Sequence, residues 1–326
     1  METTTPERAQ QTLLPTLKRL RDPGFWADWT AVVALILLVI VFGIASPTFL
    51  TLGNVQAMLV AAAILVMLSV GQTYVIITAG IDLSVASTLT LSSVVLGQTY
   101  SRGWNIALCC VLAVAVGTLV GTINGIVIAK GKITDFIVTL GSLSAAAGVA
   151  LILSSGEPVQ INSMFLLRLA TGSVGPFSYF IIIAIVVAII GHVVLFHTRF
   201  GTHLLAIGGD REAARAMGIN TARVKIAAYV VSGFLAGLAS ILLTARIGAA
   251  EPAADTSYLL NSVAAVVLGG VSLFGGRGTV VGPVVGALLL IALVNGLTLL
   301  SVSQFYQPLA VGVVVVLAAL LMRYQR

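Results

Sequence analysis

Ten apolar runs, most of them close to the roughly 20 residues that a helix needs to cross the hydrocarbon layer of a bilayer, fill this 326-residue chain. They cover residues 29–45, 55–79, 83–100, 106–129, 133–153, 177–196, 224–247, 259–273, 279–299 and 305–322, with polar or Gly/Pro breaks between them. Backbone polar groups in lipid must be satisfied within the segment, so runs of this kind fold as helices. Only 9% of residues are charged, against about a quarter in soluble domains, too little to cover a water-soluble core. An ordinary soluble enzyme is excluded. The expected fold is an all-α polytopic membrane protein with about ten transmembrane helices. Residues 29–326 would form one transmembrane domain behind a polar segment, residues 1–28, that is too long and too acidic for a secretory signal.

Positive charge sets the orientation, because Lys and Arg near helix ends stay on the cytoplasmic side. With ten crossings and an internal N-terminus, the 17 Lys and Arg residues divide unequally. Arg102, Arg168 and Arg246 fall outside, and all the others, including Lys130, Lys132, Arg199, Arg211, Arg215, Arg223, Lys225 and Arg277, fall inside. Both termini are therefore expected in the cytoplasm. The net charge of +6 has the same origin and implies no nucleic-acid partner.

Chemistry-bearing motifs are scarce. Cys109 and Cys110 are adjacent, without the spacing of a metal site or disulfide framework, and His192, His197 and His203 have no convergent acids. No metal site is expected. Residues 125–132 imitate a phosphate loop but carry one residue too many before Gly131-Lys132, with Ile133 where magnesium needs a hydroxyl. Gly276-Arg277-Gly278 lacks the third glycine of a dinucleotide loop. The chain is expected to be neither an ATPase nor an enzyme of another kind, with no cofactor of its own.

The inside loop, residues 198–223, carries a capped helix. Asp210 suits the N-cap, Glu212 the first turn at the positive helix end, and Gly218 the left-handed residue past the last turn. Ala213, Ala214 and Met217 share one face at helical spacing, a shallow docking surface, with Arg211 and Arg215 one turn apart on another. The plainer reading is a solvated loop helix.

Glu212-Ala213-Ala214 followed by Gly218 resembles the Glu-Ala-Ala pattern of membrane subunits in ATP-binding-cassette importers. Gly80-Ile81-Asp82-Leu83-Ser84-Val85, Phe136-Ile137-Val138-Thr139-Leu140-Gly141, Ala206-Ile207-Gly208-Gly209, Val267-Leu268-Gly269-Gly270 and Gly275-Gly276-Arg277-Gly278 resemble the ribose-type sugar permeases and stand in that family's order. Ala79, Ala86, Thr134-Asp135 and Asp210 depart from that family's usual residues and leave the sugar open. The resemblance implies an importer subunit in the cytoplasmic membrane, paired with a second permease copy. It also implies a cytoplasmic tandem-cassette ATPase that holds ATP and magnesium, docked on residues 210–218, and an extracytoplasmic sugar-binding protein. The rival reading is an ion-coupled transporter or channel, which generally needs an ionisable group within the bundle. Asp82 and Asp135 instead fall near expected helix ends.

Gly80, Asp82 and Ser84 mark a helix that stops and restarts near the membrane boundary, as in transporters whose broken helices turn backbone groups toward a cavity. The alternative is an ordinary turn with Asp82 as a wet cap. Gly117, Gly121, Gly125 and Gly278, Gly282, Gly286 recur every fourth residue, which favours close helix packing. Asn124-Gly125 and Asn295-Gly296 echo one another and suggest an internal inverted repeat. Gln72, Asn124, Asn261 and Asn295 are candidates for a polar passage, although such groups also commonly bridge helices.

Overall fold

A computed structural model describes residues 23–323; the expectations for residues 1–22 and for Arg326 lie outside it. In chain order the helices are α1 (Pro23–Ala45), α2 (Leu52–Ile77), α3 (Val85–Ser101), α4 (Ile106–Gly131), α5 (Asp135–Ser154), α6 (Met164–Thr171), α7 (Tyr179–His197), α8 (Arg199–Gly209), α9 (Arg211–Ala216), α10 (Thr221–Ile247), α11 (Thr256–Leu268), α12 (Val281–Leu299) and α13 (Gln307–Arg323). Four two-residue strands lie among them: β1 (Val159–Gln160), β2 (Ser173–Val174), β3 (Phe177–Ser178) and β4 (Ala249–Ala250).

Each of the ten apolar runs falls on a helix, and the short helices α6, α8 and α9 occupy connections. Among the described residues six helices, α2, α4, α5, α7, α10 and α12, are long and apolar enough to cross a membrane. The run at 259–273 is cut short. Helix α11 ends at Leu268, because Gly270 takes a left-handed φ of 82° that reverses the chain, so residues 269–273 are loop rather than helix. Helix α3 has only 17 residues, about 25 Å at 1.5 Å per residue.

Helix α2 lies at the centre, buried without interruption from Ala62 to Ile77 and packed by α7, α10, α11 and α12. A helix apolar on every side has to be enclosed by other helices or by lipid. At the periphery, Ile36, Leu37, Val41 and Ile44 of α1 turn outward, as a lipid-facing surface requires.

The connections sort into two ends. At one, β1 pairs with β4, Tyr100 donates to the Asn162 carbonyl at 2.9 Å and Gln56 to the Pro176 carbonyl at 3.3 Å. At the other, the end of α2, the start of α5, the loop 198–220 and the loop 269–280 meet.

Glycine stripes set the closest approaches. Gly117, Gly121 and Gly125 of α4 lie against Gly237, Gly233, Tyr229 and Ile226 of α10, backbone on backbone, and a Cβ at Gly121 would strike the Tyr229 carbonyl. Gly282 and Gly286 of α12 meet the backbone of Gly269 and Ala265 in the same way, whereas Gly278 meets only side chains, those of Val271 and Ile77. The stripes are packing surfaces, as small residues at such spacing allow.

Adding one methyl separates the two situations. Gly121→Ala should lower the unfolding temperature of the purified protein in detergent, by an overpacking cost of about 1–3 kcal/mol. Gly148→Ala, at a helical position with nothing nearby, should leave it unchanged or slightly higher. Equal effects at both sites would contradict the interface.

Candidate functional site

The chain breaks between α2 and α3, at residues 78–84. Ala79 takes a left-handed φ of 57°, a conformation that costs a non-glycine residue roughly 1–2 kcal/mol. Along the turn Ala79 and Ile81 face outward while Gly80, Asp82 and Ser84 face in. The break joins helices α2 and α3. Two of its carbonyls are taken by side chains: the Ile81 carbonyl accepts from Thr139 Oγ1 at 3.2 Å, and the Asp82 carbonyl from Gln72 Nε2 at 2.6 Å.

Asp82 is 2% exposed, so the wet-cap alternative fails. One carboxylate oxygen accepts from the Ser84 backbone N–H at 3.0 Å and the Ser84 hydroxyl at 2.6 Å. The other accepts from Ser232 Oγ of α10 at 2.8 Å. Asn124 Nδ2 donates to Ser84 Oγ at 2.9 Å, and Ser142 Oγ of α5 donates to Asn124 Oδ1. Burying a carboxylate is costly unless hydrogen bonds compensate, and three helices besides the turn, α4, α5 and α10, contribute to this network.

A second polar cluster lies beside Gly80. Lys225 Nζ pairs with Asp135 Oδ2 at 2.7 Å, with both side chains largely buried, and donates to Oδ1 at 2.9 Å. Tyr229 Oη donates to Asp135 Oδ2 at 2.8 Å and stands 3.3 Å from the Ile81 carbonyl. A Cβ on Gly80 would press on Asp135 Oδ2 and Tyr229 Oη, which explains the glycine.

Of the four passage candidates, Gln72 and Asn124 converge on this turn, both wholly buried; Gln72 Oε1 is left without a partner. Asn295 lies at the other end in a reciprocal amide pair with Asn54, at 2.9 Å in each direction. Asn261 is half-buried on α11, away from the turn. Sequence reasoning missed Ser142, Ser232 and Tyr229, and read Asp135 and Lys225 only as charges near helix ends. The available signal was the spacing of Lys225, Tyr229 and Ser232, which puts them on one helical face; the sequence alone presents Lys225 as one more charge that orients the chain.

The inside loop holds the capped helix. Asp210 Oδ1 accepts from the backbone of Glu212 at 2.9 Å and Ala213 at 3.0 Å, and Gly218 takes a left-handed φ of 83°. The expected docking face needs correction. Ala214 turns inward and joins the core, because the Ile219 N–H bonds the Ala214 carbonyl at 3.1 Å and folds the chain back over it. Ala213 and Met217 remain exposed, with Arg211, Glu212 and Arg215. Residues 125–131, the phosphate-loop imitation, are the last turns of α4, where backbone N–H groups serve the helix and cannot cradle a phosphate. No cluster of three or more His, Cys, Asp or Glu side chains able to hold a metal occurs among the described residues.

Two of the glycine-bearing strings meet at the end of α2. The Ile77 carbonyl accepts from the Gly276 N–H at 2.9 Å, and Gly208 lies so close that a Cβ would strike both Ile77 and Gly276. Truncating the central carboxylate should expose the dependence. Asp82→Ala orphans three donors, at about 1–3 kcal/mol each when buried, and should lower the unfolding temperature far more than Asp82→Asn, which keeps an acceptor oxygen. Indistinguishable melting of the two variants would refute the assignment.

Comparison with known proteins fits this geometry. Residues 54–322 match the family described as branched-chain amino acid transport system / permease component. The chain is 38% identical over 314 residues to the ribose import permease protein RbsC of Escherichia coli K12, covering 93% of this chain and 96% of that protein. It is 38% identical over 316 residues to the protein of the same name from Bacillus subtilis 168, covering 94% and 96%. To the D-allose transport system permease protein AlsC of Escherichia coli K12 it is 32% identical over 301 residues, covering 92% of each. No solved structure gives a significant match. A helical bundle with membrane-length spans, aligned over nearly its whole length with these permeases, belongs to that family of permease components: the chain is a transport subunit, not an enzyme.

Proposed function

We propose that this chain is the membrane-spanning subunit of an ATP-driven importer, moving a sugar or sugar-like polyol across the cytoplasmic membrane by alternating access. The observation that carries the reading is the full-length similarity to permeases named for ribose and allose. The side chains of the bundle suit a neutral hydroxylated solute, since its buried polar groups are mainly amides and hydroxyls and Lys225 and Asp135 neutralise one another.

In this reading ten helices cross the membrane, residues 29–326 form one domain, and both termini face the cytoplasm. Two copies work as a pair and enclose a weakly selective passage to which Gln72, Asn124, Asn261 and Asn295 contribute. Substrate choice rests with an extracytoplasmic binding protein. A tandem-cassette ATPase holds ATP and magnesium and docks on residues 210–218 through Ala213, Met217, Arg211 and Arg215. The Asn124-Gly125 and Asn295-Gly296 echo marks two related halves.

Two measurements test this. Single cysteines at Met217 and Ala253, in a background lacking Cys109 and Cys110, should react with an impermeant thiol reagent from opposite sides, Ala253→Cys from outside and Met217→Cys only after the membrane is opened. Reversed labelling would remove the docking assignment. In proteoliposomes holding the chain with its ATPase and binding protein, labelled D-ribose or D-allose should accumulate with ATP and labelled L-leucine should not. Leucine uptake without sugar uptake would overturn the substrate class.

A further inference from the structure

The two flanks of α9 reach the end of α2 and the turn that follows it. On its N-terminal side, Gly208, one residue from the end of α8, lies against the Ile77 carbonyl and Gly276, and the Gly276 N–H is bonded to Ile77 at 2.9 Å. On its C-terminal side, α10 presents Lys225, Tyr229 and Ser232 on one face, at i, i+4 and i+7. These three rungs reach Asp135 at 2.7 Å, Asp135 and the Ile81 carbonyl at 2.8 and 3.3 Å, and Asp82 at 2.8 Å. The opposing contacts leave the turn little freedom of its own. Its inward side chains are buried, Gly80 admits no Cβ, and Gly275 would likewise press on Ala79.

We infer that the Lys225–Tyr229–Ser232 ladder of α10, braced by Asp135, is the positioning element that passes displacement of the inside loop to the turn at residues 78–84 and thereby sets the coupling of ATP hydrolysis to transport. The inference rests on the importer reading above. Lys225 lies one turn into α10, and only residues 217–220 separate α9 from α10. A shift of α9 along the membrane normal must therefore move the ladder, because α10 is a continuous 27-residue helix. Asp135 begins a different helix, α5, so the ion pair is the point where such a shift is resisted or released. A largely buried pair of this kind has two discrete conditions, made or broken, because a displaced partner leaves an uncompensated charge. That is the property a two-state coupling element needs.

The test uses the assembled importer, with ATPase and binding protein, and two readouts. The first is the ratio of labelled D-ribose imported to ATP hydrolysed. The second needs no sugar transport: the ATP-dependent change in the rate at which Ile81→Cys, on the outward side of the turn and in a background lacking Cys109 and Cys110, reacts with a thiol reagent. Lys225→Met and the milder Tyr229→Phe should each lower the ratio, by about tenfold for Lys225→Met, within the usual range of coupling free energies. Each should also blunt the ATP-dependent change at position 81, while ATP hydrolysis persists. The charge exchange Lys225→Asp with Asp135→Lys should recover part of the ratio. If Lys225→Met fails to assemble, Tyr229→Phe, which removes a single oxygen, decides. An unchanged ratio and an unchanged Ile81→Cys response in Tyr229→Phe, and in every Lys225 variant that assembles, would overturn the inference. A wild-type complex that shows the Ile81→Cys response but imports no ribose would instead count against the substrate reading and leave the ladder standing.

Discussion

The contact of α4 with α10 is backbone against backbone, and the interior polar structure hangs on it. In lipid, helices gain little from burying apolar side chains against one another, so close association comes from van der Waals packing and interhelical hydrogen bonds. Gly117, Gly121 and Gly125 provide the approach, and it brings Tyr229 of α10 directly against Gly121. From that seat the Tyr229 hydroxyl reaches Asp135 and the Ile81 carbonyl, and Ser232, almost one turn on, reaches Asp82. A wider α4–α10 spacing would draw all of these rungs away from the turn.

The polar groups at the turn do different physical work from those elsewhere. Asn54 and Asn295 satisfy one another at the opposite end, a local staple between α2 and α12. Around residues 78–84 the satisfied groups form chains instead. Ser142, Asn124, Ser84, Asp82 and Ser232 link in series, and Lys225, Asp135 and Tyr229 link beside them. Networks of this kind specify one arrangement strongly, because a partly satisfied member is costly in a low-dielectric interior. That suits a junction that must hold either of two defined positions and few between.

Two cavities of the bundle lie elsewhere. One is an apolar groove of about 550 Å³ lined by α2, α7 and α12, and the other a hollow of about 350 Å³ lined by Gln56, Thr171, Ser178 and Arg246. The turn itself is packed shut. Asp82 and Asp135, the acids on which an ion-coupled mechanism would depend, are both committed to neighbouring side chains, Asp82 to Ser84 and Ser232 and Asp135 to Lys225 and Tyr229.

Sequence by itself determined the features that local chemistry and the solvent dictate. The ten runs fall on helices because lipid leaves an apolar segment no other way to satisfy its backbone, and Asp210 and Gly218 cap α9 because an N-cap carboxylate and a left-handed glycine act within a few residues of chain. The glycine stripes were readable as packing surfaces for the same reason. Tertiary structure decided the pairings across long separations. Lys225 and Asp135 lie 90 residues apart, and in the sequence each is a charge at a helix end; only the α4–α10 approach and the placement of α5 bring them together beside Gly80. Ala214 has the spacing of an exposed docking residue, yet the chain beyond α9 folds back and buries it. Asn124 and Asn295 share a local motif and have different fates, one in the buried network and one in an end staple. Spacing along a helix reports which face a residue occupies, whereas the partner that meets that face depends on how the other helices pack against it.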